Sequence, residues 1–419
     1  MDFTFDERTE ELRDRLLTFM DEFVYPVEHL FHDQALRTDA RWERPAAMAE
    51  LKRQARARGL WNLFLGGDQG AGLTNAQYAP LAEITGWSPE VAPEALNCNP
   101  PDTGNMELLT LFGTEDQRER WLAPLLEGRI RSAYCMTEPA VASSDPANLR
   151  TTITDDGTHW VIDGVKWWST GAMSSDCKLL VVMGTTDPDA DSRNRHSLVL
   201  VPRDTPGVTV RRGLQIFGFE HGAHGGHAEI QFKGTRVPKN YLLGERGRGQ
   251  ALAQARLGPG RIHHCMRMVG MAERAIDLMC RRASERIAFG SPLADQGIIQ
   301  HWIAESRVKV DQLRLYVLHA AWLIDTVGAQ QARNEISAIK VAAPDVVGWI
   351  IDKAIQVHGA AGLAQDHPLA MLWAQARTMR FIDGADEVHR MVVAARELHR
   401  HGGADAVRAG SAGVRCLTG

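Results

Sequence analysis

The chain of 419 residues contains no long uninterrupted run of apolar residues and few cysteines. The six cysteines are scattered and none forms a C-x-x-C pair, which is typical of reduced thiols in a cytosol-like compartment rather than of a disulfide framework. No stretch approaches the roughly 18 apolar residues that a membrane-spanning helix needs. The sequence therefore predicts a globular protein with no membrane partner.

A large excess of charge of one sign is also absent. The 47 Lys+Arg and 52 Asp+Glu residues leave a net charge of −5, which argues against a dedicated nucleic-acid binder. The acidic first residues resemble neither a secretory signal nor a mitochondrial transit peptide, so we expect a cytoplasmic protein. Cys416 stands four residues from the end, as in a prenylation box. We interpret that spacing as chance because glycine ends the chain and no polybasic segment precedes it.

Several sequence motifs of nucleotide and metal sites are missing. No G-x-G-x-x-G follows a strand pattern, and neither a P-loop nor an H-E-x-x-H occurs. His221, His224 and His227 are evenly spaced in a glycine-rich loop and could bind a metal, but no cysteine or carboxylate framework accompanies them, so we predict no metal site. His263 and His264 are adjacent in a helical segment and are expected to have structural or substrate-facing roles.

The distribution of apolar residues changes twice along the chain. Spacings of three and four predict helices in residues 5–127 and again in residues 245–402, within domains expected at residues 1–127 and 243–419. Between them, residues 128–242 contain short β-rich runs separated by Asp-Gly turns, as in a barrel or a sandwich. The sequence therefore predicts an α+β protein with three consecutive domains in the order helix, strand, helix.

Three segments carry candidate chemistry, and each has a structural alternative. Residues 134–145 run from a strand pattern into a turn with hydroxyls that can bind a ligand or form an ordinary loop. In residues 167–171 two tryptophans precede hydroxyls, and an indole can cover a flat heterocycle or fill a core. Asp383, followed by Gly384 between two helical patterns, can cap a helix or act as a general base.

Together these segments resemble the acyl-CoA dehydrogenase family. The resemblance covers nearly the whole chain and includes Thr137-Glu138-Pro139 with Ser143-Ser144-Asp145, Trp167 to Gly171, Arg286-x-x-Phe289-Gly290, Gln356-x-x-Gly359-x-x-Gly362, and Asp383-Gly384. Residues 101–106, 256–265 and 383–389 look most like the subgroup of family members ten and eleven. The resemblance implies an N-terminal α-helical domain, a middle β-barrel domain and a C-terminal four-helix bundle.

The resemblance also implies the reaction and its cofactor. It implies α,β-dehydrogenation of an acyl-CoA with FAD, in which a carboxylate at the position of Asp383 removes the α-proton and the β-hydride passes to flavin N5. Most characterised members have Glu at that position, and Asp is shorter by one bond of about 1.5 Å. Thr170 is the implied hydroxyl partner of N5. The residues implied to contact FAD are Tyr134, Met136, Thr137, Ser143, Ser144, Trp168, Ser169, Thr170, Arg286, Gln356, Val357, His358, Gly359, Ala360, Ala385, Asp386 and Glu387.

Further residues and partners follow from the same resemblance. Ser144, Arg261 and Gly384 are implied to contact the substrate, and Arg286 and residues 356–360 to hold the adenosine-diphosphate half of a neighbouring subunit's FAD. A homo-oligomer, either a tetramer or a dimer, is therefore expected, with electron-transfer flavoprotein as the electron acceptor. The chain departs from the family pattern in a longer first loop without the usual glycines, and in having Gly297 where many relatives have Gln.

Two alternatives share the same fold. One is a flavoprotein oxidase similar to nitroalkane oxidase, which also uses an Asp base. The other is a non-catalytic, DNA-associated homologue, which the net charge of −5 disfavours.

Overall fold

A computed structural model describes residues 4–35 and 41–401 of the chain. Cys416 and the rest of the C-terminal segment after residue 401 lie outside the described residues. No helix within the two described ranges is both long and apolar enough to cross a membrane.

Long helices dominate the C-terminal part, as the residue spacing predicts. The helices are α1 (Glu7–Phe19), α2 (Glu28–Ala35), α3 (Ala47–Ala57), α4 (Asn75–Thr85), α5 (Ala92–Ala95), α6 (Asp102–Phe112), α7 (Glu115–Gln117), α8 (Ala123–Leu126), α9 (Gly249–Glu285), α10 (Gly297–Val327), α11 (Arg333–His358), α12 (Leu369–Thr378) and α13 (Asp386–Arg400). Capping side chains begin several of them. Asp6 accepts a hydrogen bond from the Thr9 N–H at α1, and Thr74 forms a capping box with Gln77 at α4.

The strands lie between α8 and α9, apart from one short hairpin. They are β1 (Arg131–Cys135), β2 (Thr152–Asp155), β3 (His159–Thr170), β4 (Cys177–Thr185), β5 (His196–Pro202), β6 (Val208–Leu214), β7 (His227–Pro238), β8 (Leu242–Leu243), β9 (Ile287–Ala288) and β10 (Ser291–Pro292). The main sheet has the order β6-β7-β3-β2-β4-β5-β8, and β1 pairs in parallel with β4.

The main sheet does not close into a barrel. Its end strands, β6 and β8, do not pair with each other in the described structure. β8 has only two residues, and β6 carries the exposed Arg211 and Arg212. Edge strands that are short or charged resist pairing with another strand. The prediction of a middle strand-rich domain is confirmed, whereas closure of the barrel is not.

The described chain divides into two compact units that cut across the sequence order. Among the described residues, the first comprises 4–22, 73–93 and 261–400, and the second comprises 23–35, 41–72, 94–260 and 401. In the first unit α10, α11, α12, α13 and the earlier helices α1 and α4 pack together around Ile339, Val347 and Ile350. In the second unit, the sheet core contains Leu179, Val181, Leu198, Leu200 and Ile230. The division into three consecutive domains stays a prediction.

Candidate active site

A buried ion pair holds the loop after β1 against β3. The Lys166 ammonium lies 2.8 Å from Oε1 of Glu138 and also donates to the Met136 carbonyl oxygen at 2.8 Å. Glu138 accepts two further hydrogen bonds, from the backbone N–H groups of Arg150 and Thr151. Burial alone would raise the pKa of the Glu138 carboxyl, but Lys166 and these N–H groups lower it. The pair therefore fixes the backbone of the first predicted flavin segment.

The second predicted flavin segment contains a β-bulge at Trp168. The register between β3 and β7 shifts between Lys166 and Ser169, and Trp168 has a φ of +53°. The left-handed region is costly for a bulky residue, and a bulge of this kind re-aims a side chain out of the sheet. The Trp167 N–H donates to the Thr137 carbonyl oxygen at 2.9 Å, which joins the two segments beside the bulge.

The turned-out indole lines an open groove. Trp168 is 38 % exposed and lies between the half-buried Trp167 and the buried Ser169. The groove has a volume of about 420 Å³ and is lined also by Trp42, Arg41, Arg212 and Glu220. The two indoles can present flat apolar faces to an aromatic ligand. Arg41 pairs with Glu220 at 2.8 Å and Arg212 with Glu229 at 2.9 Å.

The hydroxyls of the two segments have different surroundings. Ser143 Oγ accepts a hydrogen bond from the Glu138 N–H at 2.9 Å, so this hydroxyl stabilises its own loop. Ser144 and Thr137 are exposed, Tyr134 and Met136 are half-buried, and Ser169 is buried. Thr170 is half-buried, and its Oγ1 lies 2.9 Å from Nδ1 of His227.

Residues 101–106 anchor the start of β1. Asp102 accepts from the N–H and the hydroxyl of Ser132, each at 2.6 Å, and from Nε of Arg131 at 3.0 Å. Asn105 donates to the Ser132 hydroxyl at 2.9 Å and accepts from Nε of Arg256 at 3.3 Å. The motif that marks the subgroup therefore orients the strand that leads into the first flavin segment.

Asp383 occupies a strained turn immediately before α13. Its φ is +58°, in the left-handed region that Asp tolerates better than most residues. Because α13 begins at Asp386, the N-cap position belongs to Ala385, whose carbonyl oxygen accepts from the His389 N–H. Asp383 is therefore not the N-cap residue. Its Oδ2 instead lies 3.4 Å from Nε2 of His264.

Two side chains bind the backbone carbonyl of Asp383. Arg261 Nε donates to this oxygen at 3.0 Å, and Nε2 of His389 lies 3.3 Å from it. Burial, with help from Arg261 and Lys340, lowers the pKa of His389 to about 3, so the imidazole is neutral and must carry its proton on Nε2 to donate. A Cβ at Gly384 would come within 2.9 Å of that Nε2, so the turn requires glycine there.

Two cations, Arg261 and Lys340, interact with the Asp383 carboxylate. Burial lowers the pKa of both Arg261 and Lys340, and the attraction of Asp383 opposes that change in each case. The buried Lys340 ammonium donates to the Met379 carbonyl oxygen. Arg261 and Lys340 therefore both attract the Asp383 carboxylate.

The structure therefore brings together the predicted residues Asp383, Gly384 and Arg261. The other predicted residues of the first unit are placed differently. Asp386 is buried and accepts from Arg380 at 2.6 Å, whereas Glu387 is exposed. The remaining residues predicted to face a neighbouring subunit fall into two groups. Those exposed are Arg286, Gln356, Gly359 and Ala360, and those buried are Val357 and His358.

Sequence reasoning missed the roles of several partners. His264 and His389 touch Asp383 across the first unit, and Lys340 lies close to the same carboxylate. The only local signal for any of these contacts was that His389 follows Asp383 by six residues. His227 appeared only as a metal ligand candidate, yet it faces the hydroxyl of Thr170.

Comparison with known proteins gives a consistent assignment. The model of the acyl-CoA dehydrogenase middle domain matches residues 133–235, and that of the acyl-CoA dehydrogenase C-terminal domain matches residues 247–398. The probable acyl-CoA dehydrogenase FadE2 of Mycobacterium tuberculosis is 54 % identical over 401 residues, covering 96 % of this chain and 98 % of the relative.

Other similar proteins support the same assignment. Acyl-CoA dehydrogenase family member 11 of Rattus norvegicus is 49 % identical over 94 % of this chain, which spans 51 % of that longer relative. The structure of a putative acyl-CoA dehydrogenase from Mycobacterium abscessus superposes with a TM-score of 0.93 at 50 % identity, covering 95 % of this chain and all of the other. On the identity, the coverage and the two domain matches, this chain belongs to the acyl-CoA dehydrogenase family, a family of oxidoreductases that act on CH–CH groups.

Proposed function

We propose that this protein is an FAD-dependent acyl-CoA dehydrogenase in which Asp383 removes the α-proton of the thioester. The main support for this proposal is the Asp383 turn. There Arg261 and His389 hold the backbone carbonyl, and His264 lies 3.4 Å from the carboxylate. Membership of the acyl-CoA dehydrogenase family supports the reaction class. A pre-positioned carboxylate is what abstraction of a weakly acidic proton needs.

The residues of the second unit fit a flavin. Trp168 offers an exposed indole face at the bulge, and Arg41 and Arg212 line the same groove. A similar fold, the acyl-CoA dehydrogenase of Bacillus anthracis, is described as complexed with FAD, with a TM-score of 0.80 at 23 % identity. When bound, FAD would accept the hydride from the β-carbon.

The chain's own residues would bind, orient and deprotonate the substrate. Asp383 accepts the α-proton, and Arg261 and His389 hold the backbone of its turn in place. Met136 and Thr137, fixed by the Lys166–Glu138 pair, and the side chains of Trp168 and Thr170 would hold the flavin ring. We further propose that the product is a trans-2-enoyl-CoA formed in fatty acid β-oxidation, that electron-transfer flavoprotein takes the electrons, and that the chain works in the cytoplasm as a tetramer or dimer.

An anaerobic titration with a panel of acyl-CoA thioesters tests the proposal. We expect at least one thioester to bleach the flavin absorbance of the wild-type protein. Asp383→Asn keeps the side-chain volume but removes the base, so the bleaching rate should fall by about 10²–10⁴-fold with FAD content unchanged. Asp352→Asn is a matched control on the exposed surface of α11 and should bleach at the wild-type rate.

Two results would contradict the proposal. One is a flavin that no thioester bleaches but that turns over a nitroalkane with O₂, which would favour the oxidase alternative. The other is an Asp383→Asn variant that bleaches as fast as Asp352→Asn, which would place the base elsewhere. A salt-dependent gel shift with DNA would favour the DNA-associated alternative.

A further inference from the structure

We propose that His227 is a positioning residue for the flavin site, and that its imidazole fixes the direction in which the Thr170 hydroxyl donates its hydrogen bond. The inference rests on the proposed function, in which Thr170 faces the flavin. It extends that function to a residue outside the sequence motifs of the site.

The sheet places His227 beside Thr170. The two residues are cross-strand partners on β7 and β3, and Nδ1 of His227 lies 2.9 Å from Oγ1 of Thr170. The His227 side chain is buried, and its ring centroid lies 5.5 Å from that of Trp168. The ring centroid of the buried His221 is 5.3 Å away. The imidazole is therefore confined between two rings and one hydroxyl.

Burial determines the protonation state of His227. It lowers the pKa of this imidazole to about 4, so the ring is neutral near pH 7 and carries one N–H. Nε2 of His227 has no hydrogen-bond partner among the residues that the structure describes. A buried N–H without an acceptor is rare in native proteins. The tautomer that avoids this cost has its proton on Nδ1, from which it donates to the Thr170 oxygen.

The direction of that hydrogen bond leaves Thr170 with its own proton. A hydroxyl has one donor and two acceptor positions, and the Nδ1–H occupies one acceptor position. The Thr170 O–H is then free to donate to a ring nitrogen that accepts. His227 thus directs the Thr170 proton towards a ring nitrogen that accepts.

Three substitutions of His227 separate positioning from packing. The amide nitrogen of His227→Asn can replace Nδ1 as a donor, the amide of His227→Gln reaches the position of Nε2, and His227→Leu has no donor. Titration of the apoproteins with FAD, followed by flavin fluorescence, gives the dissociation constant, and the visible spectrum reports hydrogen bonding to the ring. We expect affinity about fivefold weaker in the Leu and Gln variants, which corresponds to one hydrogen bond of about 1 kcal/mol. Affinity and spectrum should be restored in the Asn variant.

A second background keeps the test independent of folding defects. In a Thr170→Val protein the hydroxyl is gone, so His227→Leu should cause no further loss of FAD affinity. Overturning results are Leu, Gln and Asn variants that all bind within twofold of wild type, or a Leu effect that persists undiminished with Thr170→Val. A wild-type protein that binds FAD but is bleached by no thioester would overturn the dehydrogenase proposal and leave the His227 test intact. A wild-type protein that takes up no FAD would overturn both.

Discussion

Removal of the buried ammonium of Lys166 should destabilise the unit that contains the sheet. The Lys166 side chain is 0 % exposed and that of Glu138 4 %, and the two groups are 2.8 Å apart. Lys166→Met leaves the Glu138 carboxylate buried with backbone N–H groups but without this cation. Truncating one partner of a buried ion pair typically costs about 3–5 kcal/mol, because the other charge stays uncompensated. For a unit of this size that loss lowers the melting temperature by about 6–20 °C.

Urea unfolding at pH 7.5, followed by circular dichroism and tryptophan fluorescence, measures this cost. Arg53→Met is the matched control in the same unit, since Arg53 is 65 % exposed and pairs with Glu50 on the surface of α3. Solvent screens an exposed pair, so Arg53→Met should change the stability little. In a Glu138→Gln/Lys166→Met double variant the buried charge is gone and an amide oxygen still accepts from the backbone, so part of the stability should return.

One outcome would refute this reasoning directly. If Lys166→Met loses no more stability than Arg53→Met, then the Glu138 carboxylate does not need the ammonium, and the pair does not fix the flavin loop. A double variant less stable than Lys166→Met would also contradict the argument, because it would place the cost in lost packing rather than in the uncompensated charge.

Two further predictions concern acidity and a close backbone approach. Burial lowers the pKa of His196 to about 4, so the folded state binds fewer protons than the unfolded state and stability falls as the pH drops from about 6.5 towards 4. Unfolding at pH 7.5 and 4.5 should show a loss of about 2–3 kcal/mol from this group that His196→Gln lacks, and equal losses in both proteins would contradict it. A Cβ at Gly104 would lie 2.7 Å from Nε of the buried Arg256, so Gly104→Ala should cost about 1–3 kcal/mol. Gly348→Ala, on α11 with open space around it, should be neutral or up to about 1 kcal/mol more stable, and similar thermal shifts in both variants would refute the steric argument.

The order of helix and strand along the chain was readable from residue spacing. Apolar residues at intervals of three and four mark a buried helix face, and Asp-Gly turns between β-branched runs mark hairpins. Both are local signals that need no tertiary contact. Closure of the sheet was not readable, because whether β6 and β8 pair depends on edge strands that are far apart in sequence.

The candidate site shows the same division. The turn at Asp383 and Gly384 was visible as an acid and a glycine between two helical patterns, but cap and base were both open interpretations. The position of α13 excludes the N-cap interpretation, since the helix begins at Asp386 and leaves the Asp383 carboxylate beside His264. The role as base stays a prediction. The local sequence could not predict that His264 and Arg261 lie against Asp383, because both are far from it along the chain. Arg261 is 122 residues away.

The sequence by itself determined the family and the chemistry-bearing segments, because motifs such as residues 137–139 and 167–171 are short and local. Only the tertiary structure decided how those segments work together. Strand register places His227 opposite Thr170 from 57 residues away, and burial then makes that imidazole neutral. The register of β3 against β7 depends on the bulge at Trp168. The burial of His227 depends on all the elements that pack against it. Neither quantity is a property of any one stretch of sequence.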